Sequence, residues 1–201
     1  MDHQHPRKTI AAFDFDGTLT TKDSLLHFLL FKSSPLKLLL RAVPSLYYVL
    51  MYSLKLMPNF VAKQALFSLF FRGMAITDFD RRCHLFLTRL NGMVRPEAKE
   101  KIQWHQSMGH EVVIISASIE NWIIPFAQQM GVDTVLATTI EVNSGVVTGK
   151  FLSKNCFGPE KAVRLLERFP DRENYILYAY GDSNGDRELL GMADHPFYRS
   201  F

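Results

Sequence analysis

Short apolar runs alternate with longer segments of helical character along most of this chain. A continuous apolar run of this length is typical of a strand that is buried on both faces. Four such strands are predicted, at residues 10–13, 111–115, 134–137 and 175–180. Strands that alternate with helices indicate a parallel sheet with helices on both of its faces. The pattern therefore predicts an α/β fold, with a three-layer, Rossmann-like parallel sheet as its core.

Proline, glycine and serine mark the ends of the predicted helices. Pro96 lies in the first turn of one helix, and Ser118 is a plausible N-cap for the next, which Pro125 is expected to shorten or kink. Asn143-Ser144-Gly145, between two apolar segments, predicts a β-hairpin over residues 140–151. The predicted helices cover residues 96–109, 118–131, 158–169 and a short segment that ends near residue 191.

One long helical stretch interrupts the alternation directly after the first strand. It is punctuated by Pro35, Pro44 and Pro58, which are expected to separate its helices. Ligands bind beyond the carboxyl ends of the strands in open α/β sheets, so an insertion at this point is predicted to cover the site. We therefore predict a core formed by residues 1–22 and 91–201 and a helical cap formed by residues 23–90.

Charge is distributed unevenly between these two parts. The formal net charge of the chain is only +3, but residues 24–77 contain no acidic residue at all. Residues 24–90 carry nine Lys and Arg against two Asp, so the rest of the chain is acidic overall. A basic cap of this kind indicates an anionic partner.

The most apolar part of the helical cap lies between Arg41 and Lys55. Residues 42–54 are uncharged and contain three tyrosines, but thirteen residues is well short of the ~20 that a spanning helix needs. Such a segment, flanked by basic residues, fits a helix that lies at a membrane interface. The alternative is a cap core whose lysines face water. Nucleic acid is not expected as a partner, because no recognised binding module is visible and apolar residues dominate.

The two cysteines, Cys83 and Cys156, match no metal or redox spacing. They are expected to be reduced thiols in a cytoplasmic protein. No secretory signal fits the polar residues before the first strand, which agrees with this location.

The first strand leads directly into a pair of acidic residues. Asp14 and Asp16 follow the apolar run, and Gly17-Thr18 allows the backbone to turn. Two carboxylates this close repel each other unless a cation or a proton separates them. The pair suggests a bound divalent metal ion, with one acid ionised and the other able to carry a proton. Asp-x-Asp-Gly is also a common turn composition, so the motif alone leaves a structural role open.

Further polar groups are predicted at the same edge of the sheet. Ser116 follows the second strand, Lys161 lies at the start of a helix, and Asp182 and Asp186 follow the fourth strand. Each has an ordinary structural interpretation, as a helix cap, a solvated lysine or part of a turn. Because all of them fall at the functional edge of the sheet, a common site is the better interpretation.

These residues carry a family resemblance. The segment Asp14-Phe15-Asp16-Gly17-Thr18, then Ser116, Lys161 and residues 181–186, resemble the four ordered motifs of the haloacid dehalogenase-like hydrolases. The helical cap directly after the first motif is similar to the phosphoserine-phosphatase branch, subclass IB. Its apolar and basic composition looks closer to members of the phosphatidylglycerophosphatase C type.

The resemblance implies a Mg²⁺-dependent phosphomonoester hydrolase. Asp14, Asp182 and the backbone carbonyl of Asp16 would hold the Mg²⁺ ion, which neutralises the charge of the phosphate. Lys161 and the hydroxyl of Ser116 would hold the non-bridging oxygens of the phosphoryl group.

The resemblance also assigns the steps of the reaction. Asp14 would attack phosphorus and form an aspartyl phosphate, while Asp16 would protonate the leaving alcohol and then activate water. Asp186 and Asn184 would support the metal or the lysine from behind. Residues expected to touch the substrate are Asp23, Thr18, Ala117, Ser118 and Arg72.

Three departures from the phosphoserine enzymes put an amino-acid substrate in doubt. Gly17 stands where those enzymes usually have Ser, Asp23 where they have Glu, and Gly185 where they have Asn, with Asn184 shifted by one position. The leading expectation is therefore a lipid phosphate, such as phosphatidylglycerophosphate, at the inner face of the cytoplasmic membrane. The alternatives are a small soluble phosphomonoester similar to phosphoserine, phosphotransfer to a second alcohol, and a non-enzymatic binding module on the same fold.

Overall fold

A computed structural model describes residues 7–31 and 33–201, without the side chain of Lys37. Five parallel strands form the central sheet, in the order β3-β2-β1-β6-β7. β1 lies in the middle, where Ile10 is in register with Glu111 on one side and with Leu177 on the other. The strands are β1 (Lys8–Phe13), β2 (Glu111–Ile119), β3 (Thr134–Thr138), β6 (Tyr175–Gly181) and β7 (His195–Tyr198).

Helices cover both faces of this sheet. Ala11 and Phe13 of β1 pack on one face with residues of α5 and α6, whereas Ile10 and Ala12 pack on the other with residues of α7 and α8. The predicted three-layer α/β core is therefore confirmed. These helices are α5 (Pro96–Ser107), α6 (Glu120–Gln129), α7 (Pro159–Arg168) and α8 (Arg187–Gly191), with short 3₁₀ turns at Arg172–Asn174 and Asn184–Asp186.

Four consecutive helices follow β1, where the helical cap is predicted. Pro35 starts α2 and Pro58 precedes α3, but Pro44 lies inside α2 and does not end it, contrary to expectation. The division of the chain into two separate domains stays a prediction. The four helices are α1 (Ser24–Leu30), α2 (Pro35–Ser53), α3 (Asn59–Phe71) and α4 (Ile76–Asn91).

Aromatic rings join the first and fourth of these helices to the core. Phe28 of α1 stacks on Trp122 of α6 with ring centroids 4.6 Å apart, and Phe79 and Phe86 of α4 meet Phe28 edge-on. All of these rings are fully buried. Such aromatic pairs contribute about 0.5–1.5 kcal/mol each beyond the area that they bury, so α1 is held firmly beside the site.

The predicted hairpin is present, but it packs on the helical cap and not on the central sheet. Its strands are β4 (Ile140–Asn143) and β5 (Val146–Phe151), and its two turn residues have the positive φ angles of 49° and 76° that tight hairpins require. Gly149 lies against α3 so closely that a Cβ atom there would be 2.9 Å from the Cα atom of Ser68. The backbone N–H of Phe151 donates to Gln64 of α3 at 2.9 Å.

Two further details differ from the sequence prediction. β2 continues to Ile119, and α6 begins at Glu120 without a side-chain N-cap, so Ser118 is a strand residue and caps nothing. Its hydroxyl is used in the site instead. The edge strand β7 has no counterpart among the predicted strands.

Cys83 and Cys156 are both buried free thiols, as expected. Within the described residues, no helix has the length and apolar character needed to cross a membrane.

Candidate active site

The end of the central strand fixes the position of Asp14. Its backbone N–H donates to the carbonyl of Tyr180 on β6 at 2.9 Å, so the residue continues the sheet by one hydrogen bond. Gly17, three residues later, has a φ of +87° and lies directly against Asp182. A Cβ atom at Gly17 would be 2.7 Å from the carboxyl carbon of Asp182, so a side chain cannot be added there without displacing the acid. The first and fourth motifs are therefore in direct contact.

Lys161 lies between two carboxylates at the bottom of the site. Its Nζ atom donates to Asp14 and, at 2.6 Å, to Asp186. Only 2% of the Lys161 side chain is exposed. Burial disfavours the ammonium form, but the two carboxylates outweigh it and raise the pKa of Lys161 above its ordinary value. A permanent positive charge is thus held next to Asp14.

Asp186 organises both the lysine and the loop that follows β6. While Oδ1 accepts from Lys161, Oδ2 accepts from the backbone N–H groups of Asp182 and Ser183, at 3.2 and 3.0 Å, and from the Ser183 hydroxyl at 2.9 Å. With both oxygens engaged, Asp186 is a positioning residue behind the site. This placement agrees with the supporting role that the resemblance implies.

Asp16 is held in a separate set of hydrogen bonds. Oδ1 accepts from the backbone N–H of Ser24 at 2.7 Å, and Oδ2 accepts from the hydroxyl of Ser118. Burial, and then the negative charge of Asp23, raise the pKa of Asp16 above its ordinary value despite these bonds. A carboxyl group that holds its proton in this way is suited to general acid catalysis.

The remaining carboxylates fit a divalent cation. Oxygens of Asp14, Asp182 and Asp186 lie within 4.8 Å of one another. Asp186 is already engaged, but Oδ1 of Asp182 is buried and lacks a partner anywhere in the described part of the chain. Burial raises the pKa of Asp14 to about 7, and Lys161 limits the rise. A cation between Asp14 and Asp182 would relieve both costs, since carboxylate oxygens are the ligands that Mg²⁺ prefers. The side-chain oxygens of Asp16 are taken, which leaves its backbone carbonyl, the ligand that the resemblance implies.

These groups form the base of a cavity of about 490 Å³. Ser116, Ala117 and Lys161 line it beside the acids, and the buried hydroxyl of Ser116 accepts a hydrogen bond from the backbone N–H of Ser118 at 3.0 Å. A hydroxyl that accepts this bond can still rotate its own proton toward a ligand oxygen and donate it.

The helical cap supplies the other side of the cavity, which we call the apolar wall. Among its lining residues, Asp23 and Lys63 are the charged groups, and Asn59 lies one helical turn before Lys63 on α3. The carboxylate of Asp23 also caps α1 by accepting from the backbone N–H of Leu26 at 3.0 Å. The apolar wall consists of Leu25, Leu26 and Leu29 of α1, Val49 and Tyr52 of α2, and Ala62 and Leu66 of α3.

The structure does not bring every expected residue to this cavity. Arg72 follows the last residue of α3 and lines a different cavity, so a contact with the substrate at Asp14 is not supported. Asn184 is exposed at the start of a 3₁₀ turn and does not line the cavity either. Thr18 is buried and opposes the rise in the pKa of Asp182 that burial and Asp186 cause, but it lies behind the cavity lining.

Apart from Asp23, the cap residues that line the cavity are not identified by the sequence. Lys63 entered only as one of several basic residues, and Asn59, Val49 and Tyr52 were not considered as site residues. The spacing of Asn59 and Lys63, four residues apart in a predicted helix, places them on one face. No feature of the sequence fixes which way that face points, because this depends on how α3 packs.

Comparisons with known proteins agree with this geometry. A sequence profile of the haloacid dehalogenase-like hydrolases matches residues 11–191. Protein CicA of Caulobacter vibrioides is 33% identical over 198 residues, which cover 96% of this chain and 86% of CicA. A crystal structure of a Bordetella pertussis protein of unknown function superposes with a TM-score of 0.80 at 20% identity, over 92% of this chain and 87% of that one. A phosphoserine phosphatase with an analogue of its phospho-aspartyl intermediate superposes with a TM-score of 0.60 at 18% identity, over 94% and 84% of the two chains.

The chain belongs to the haloacid dehalogenase-like hydrolases. Its sheet and the helices after β1 share the fold of the phosphoserine phosphatases. The chain is a phosphatase of the haloacid dehalogenase-like family.

Proposed function

We propose that this phosphatase hydrolyses a phosphate monoester carried by an apolar molecule, and that the reaction proceeds through an aspartyl phosphate on Asp14. The observation that carries the proposal is the composition of the cavity. Its base holds Asp14, Lys161 and Ser116, which suit a phosphate group, whereas its other side is the apolar wall. A polar headgroup joined to an apolar chain matches this division.

The residues at the base supply the steps of the first half-reaction. Asp14 attacks the phosphorus atom in line with the leaving oxygen and becomes an aspartyl phosphate. Lys161 and the hydroxyl of Ser116 hold the non-bridging oxygens where charge is redistributed in the transition state. Mg²⁺ held by Asp14, Asp182 and the carbonyl of Asp16 would neutralise further phosphate charge when bound.

Asp16 transfers the protons in both half-reactions. Its raised pKa keeps the proton that it gives to the leaving alcohol. The resulting carboxylate then takes a proton from the water that hydrolyses the aspartyl phosphate. The bonds from Ser24 and Ser118 hold the group in place throughout.

Replacing Asp16 with asparagine tests this assignment. We expect turnover of an alkyl phosphate to fall by about 10²–10⁴-fold, because its alcohol leaves poorly without a proton. Formation of the aspartyl phosphate from an activated aryl phosphate is expected to suffer far less. Rapid-quench measurement of both steps checks this, with exposed Asp133 changed to asparagine as the control. Equal slowing of the first step on both substrates, with normal hydrolysis of the intermediate, would contradict the role.

The exposed face of α2 supports a lipid as the apolar molecule. Leu39, Val43 and Leu46 repeat at helical spacing and are 71%, 79% and 67% exposed. The same helix contributes Val49 and Tyr52 to the active-site cavity, so a surface in contact with this face would be next to the cavity. Arg41 and Lys55 flank the segment and carry the charge that an anionic membrane surface attracts. Lys32 lies outside the described residues.

Changing Leu39, Val43 and Leu46 together to glutamine tests the membrane surface. Each apolar side chain that is replaced removes about 1 kcal/mol of membrane-binding free energy, so we expect partitioning to anionic vesicles to weaken by about 10²-fold. Activity on a phosphatidylglycerophosphate in vesicles should fall, while activity on a soluble aryl phosphate should be unchanged. The matched control changes Leu85, Leu152 and Val163, three exposed residues elsewhere, to glutamine. Co-sedimentation that is equal for both triple variants would contradict the proposal.

One observation favours a second candidate, a small soluble phosphomonoester that also carries an amino group and a carboxylate. Asp23 and Lys63 place one negative and one positive charge in the same cavity, which suits a zwitterion such as phosphoserine. A screen of purified protein against phospholipid monoesters and phosphoserine, each with and without Mg²⁺, separates the two. Turnover of phosphoserine that exceeds that of any lipid phosphate would favour the soluble substrate.

A further inference from the structure

Three arginines of the helical cap line a second cavity, separate from the active site. Arg41 of α2, Arg72 at the end of α3 and Arg82 of α4 surround about 460 Å³. The linker before α2 adds Ser33, and the residues between α3 and α4 form another part of the lining. None of the lining residues is shared with the active-site cavity.

The positive charge of this cavity is not balanced. Across residues 7–31 and 33–201, no carboxylate forms an ion pair with any of the three guanidinium groups. Asp78 is the acidic residue of the lining, and its Oδ1 atom accepts from Arg81 at 2.7 Å. The lining therefore carries an excess of positive charge that an anion would neutralise.

Arg82 lies deepest among the three. It donates to the carbonyl of Phe31 and to the hydroxyl of Ser33 at 3.0 Å, and its guanidinium lies 5.4 Å from the ring centre of Phe71. Its Nε atom is buried without an acceptor among the described residues. Burial, and then the nearby charge of Arg41, lower the pKa of Arg82. The lowered pKa reflects the burial of Arg82 and its closeness to another positive charge, and its Nε–H group is a hydrogen-bond donor without an acceptor among the described residues.

The N-terminus of α4 opens onto the same cavity. Ala75 occupies its N-cap position without a side-chain hydrogen bond, and both Ala75 and Asp78 line the cavity. The start of this helix of 16 residues carries a partial positive charge, which Asp78 in the first turn partly offsets, and the backbone N–H of Ile76 already donates to the carbonyl of Gly145 at 2.9 Å.

We propose that Arg41, Arg72 and Arg82 form a second anion site, which binds a phosphate group without hydrolysing it. Guanidinium groups bind phosphate oxygens in pairs of hydrogen bonds, and Arg72 is exposed while Arg41 and Arg82 are partly buried. Among the described lining residues, the one carboxylate is that of Asp78, which is paired with Arg81 and not with a lysine, in contrast to Asp14 in the active site. The phosphate group is therefore held and released unchanged. The phosphate can belong to a lipid headgroup next to α2 or to a free phosphorylated molecule.

A titration of the full chain with inorganic phosphate, followed by amide NMR, tests the site. In the wild type, we expect the backbone amides of residues 73–76 to shift and saturate, in addition to any shifts near Asp14. The double variant R41Q/R72Q should bind phosphate at residues 73–76 about tenfold more weakly, because two of the three charged donors are lost. Arg82 is kept, since it holds the linker before α2.

The matched control is R89Q/K99Q, which removes the same charge from two exposed positions outside the cavity. Its titration should match that of the wild type. The proposal would be overturned if phosphate caused no shifts at residues 73–76 of the wild type. It would also be overturned if R89Q/K99Q weakened phosphate binding there as much as R41Q/R72Q does. Activity on a soluble aryl phosphate reports on Asp14 independently, so failure here leaves the proposed reaction intact.

Vesicles identify the source of the phosphate. With vesicles of phosphatidylcholine that contain phosphatidylglycerol, a lipid headgroup held in this cavity predicts that R41Q/R72Q sediments less than R89Q/K99Q, and that added inorganic phosphate releases the wild type from the vesicles more than it releases R41Q/R72Q. Equal sedimentation, together with the loss of inorganic phosphate binding in R41Q/R72Q, supports the site and assigns it to a free phosphate compound. Vesicles of phosphatidylcholine alone control for apolar binding.

Discussion

Replacing Asp14 with asparagine is expected to abolish phosphate release, with a loss of at least ~10⁴-fold. A neutral amide does not attack phosphorus, and the change removes one of the carboxylates of the proposed cation site. The protein should still fold, because Lys161 keeps its bond to Asp186 at 2.6 Å. Acid-quenched reactions with radiolabelled substrate should show labelled wild-type protein and no labelled variant.

The control for this experiment is Asp133→Asn, which removes an exposed carboxylate outside the cavity. Its activity and labelling should match those of the wild type. If the Asp14 variant released phosphate at a substantial fraction of the wild-type rate, Asp14 would not be the nucleophile and the proposed mechanism would be wrong.

Replacing Lys161 with methionine is expected to have the largest effect on stability. Methionine fills a similar volume but leaves Asp14 and Asp186 buried without their cation. Removing one partner of a buried ion pair typically lowers the free energy of unfolding by about 3–5 kcal/mol. Urea unfolding at neutral pH, with a chelator present to remove metal ions, measures the loss.

The double variant K161M/D186N is the informative control. It removes the charge of the second carboxylate along with that of the lysine, so it should recover part of the lost unfolding free energy. The outcome would be different if the two changes were independent. K161M/D186N would then be less stable than K161M by the full cost of Asp186→Asn alone, and charge imbalance would not be the cause of the loss in K161M.

The pH dependence of this loss has a defined sign. Burial already raises the pKa of Asp14 from its ordinary 3.8 to about 7 in the metal-free protein, so the folded state binds more protons than the unfolded state in that range. The contribution of Asp14 to the free energy of unfolding therefore falls as the pH rises from about 4 to about 7. Without Lys161 the carboxylate of Asp14 is harder still to ionise, so the deficit of K161M should be smaller at pH 5 than at pH 8.

The base of the active site was predictable because it follows from two simple patterns. The first and fourth apolar runs end in acidic residues, and parallel strands bring their carboxyl ends to one edge. Asp14, Asp182 and Lys161 therefore meet although they are far apart in the chain. The predicted roles of these residues still await the measurements above.

The helical cap was harder to predict, because side-chain placement there depends on helix packing. Pro44 was expected to break a helix, yet α2 continues through it. Arg72 and Lys63 are equivalent as basic residues of one helical segment, but α3 turns Lys63 to the active site and carries Arg72 to the second cavity. Neither the charge nor the spacing of the two residues determines which cavity each of them reaches.

The edge strand β7 escaped detection for a different reason. His195-Pro196-Phe197-Tyr198 is short, only partly buried and contains a proline, which is a feature that argues against a central strand. Proline is tolerated in an edge strand, because one side of that strand forms no hydrogen bonds to a neighbouring strand. β7 occupies such an edge position, next to β6. A signal this weak is visible only once the rest of the sheet is known.

The order of the strands also has a consequence during protein synthesis. β1 is made before the other strands of the sheet and lies at its centre, but its neighbour β6 follows much later in the chain, with Lys8 paired to Tyr175. At about 5–20 residues per second, the apolar strand that carries Asp14 waits for roughly 10–30 s before β6 leaves the ribosome. Until then one edge of β1 has no partner and is open to pairing with other chains. Ribosome-associated chaperones that cover short apolar segments are therefore expected to bind the nascent chain at residues 8–13.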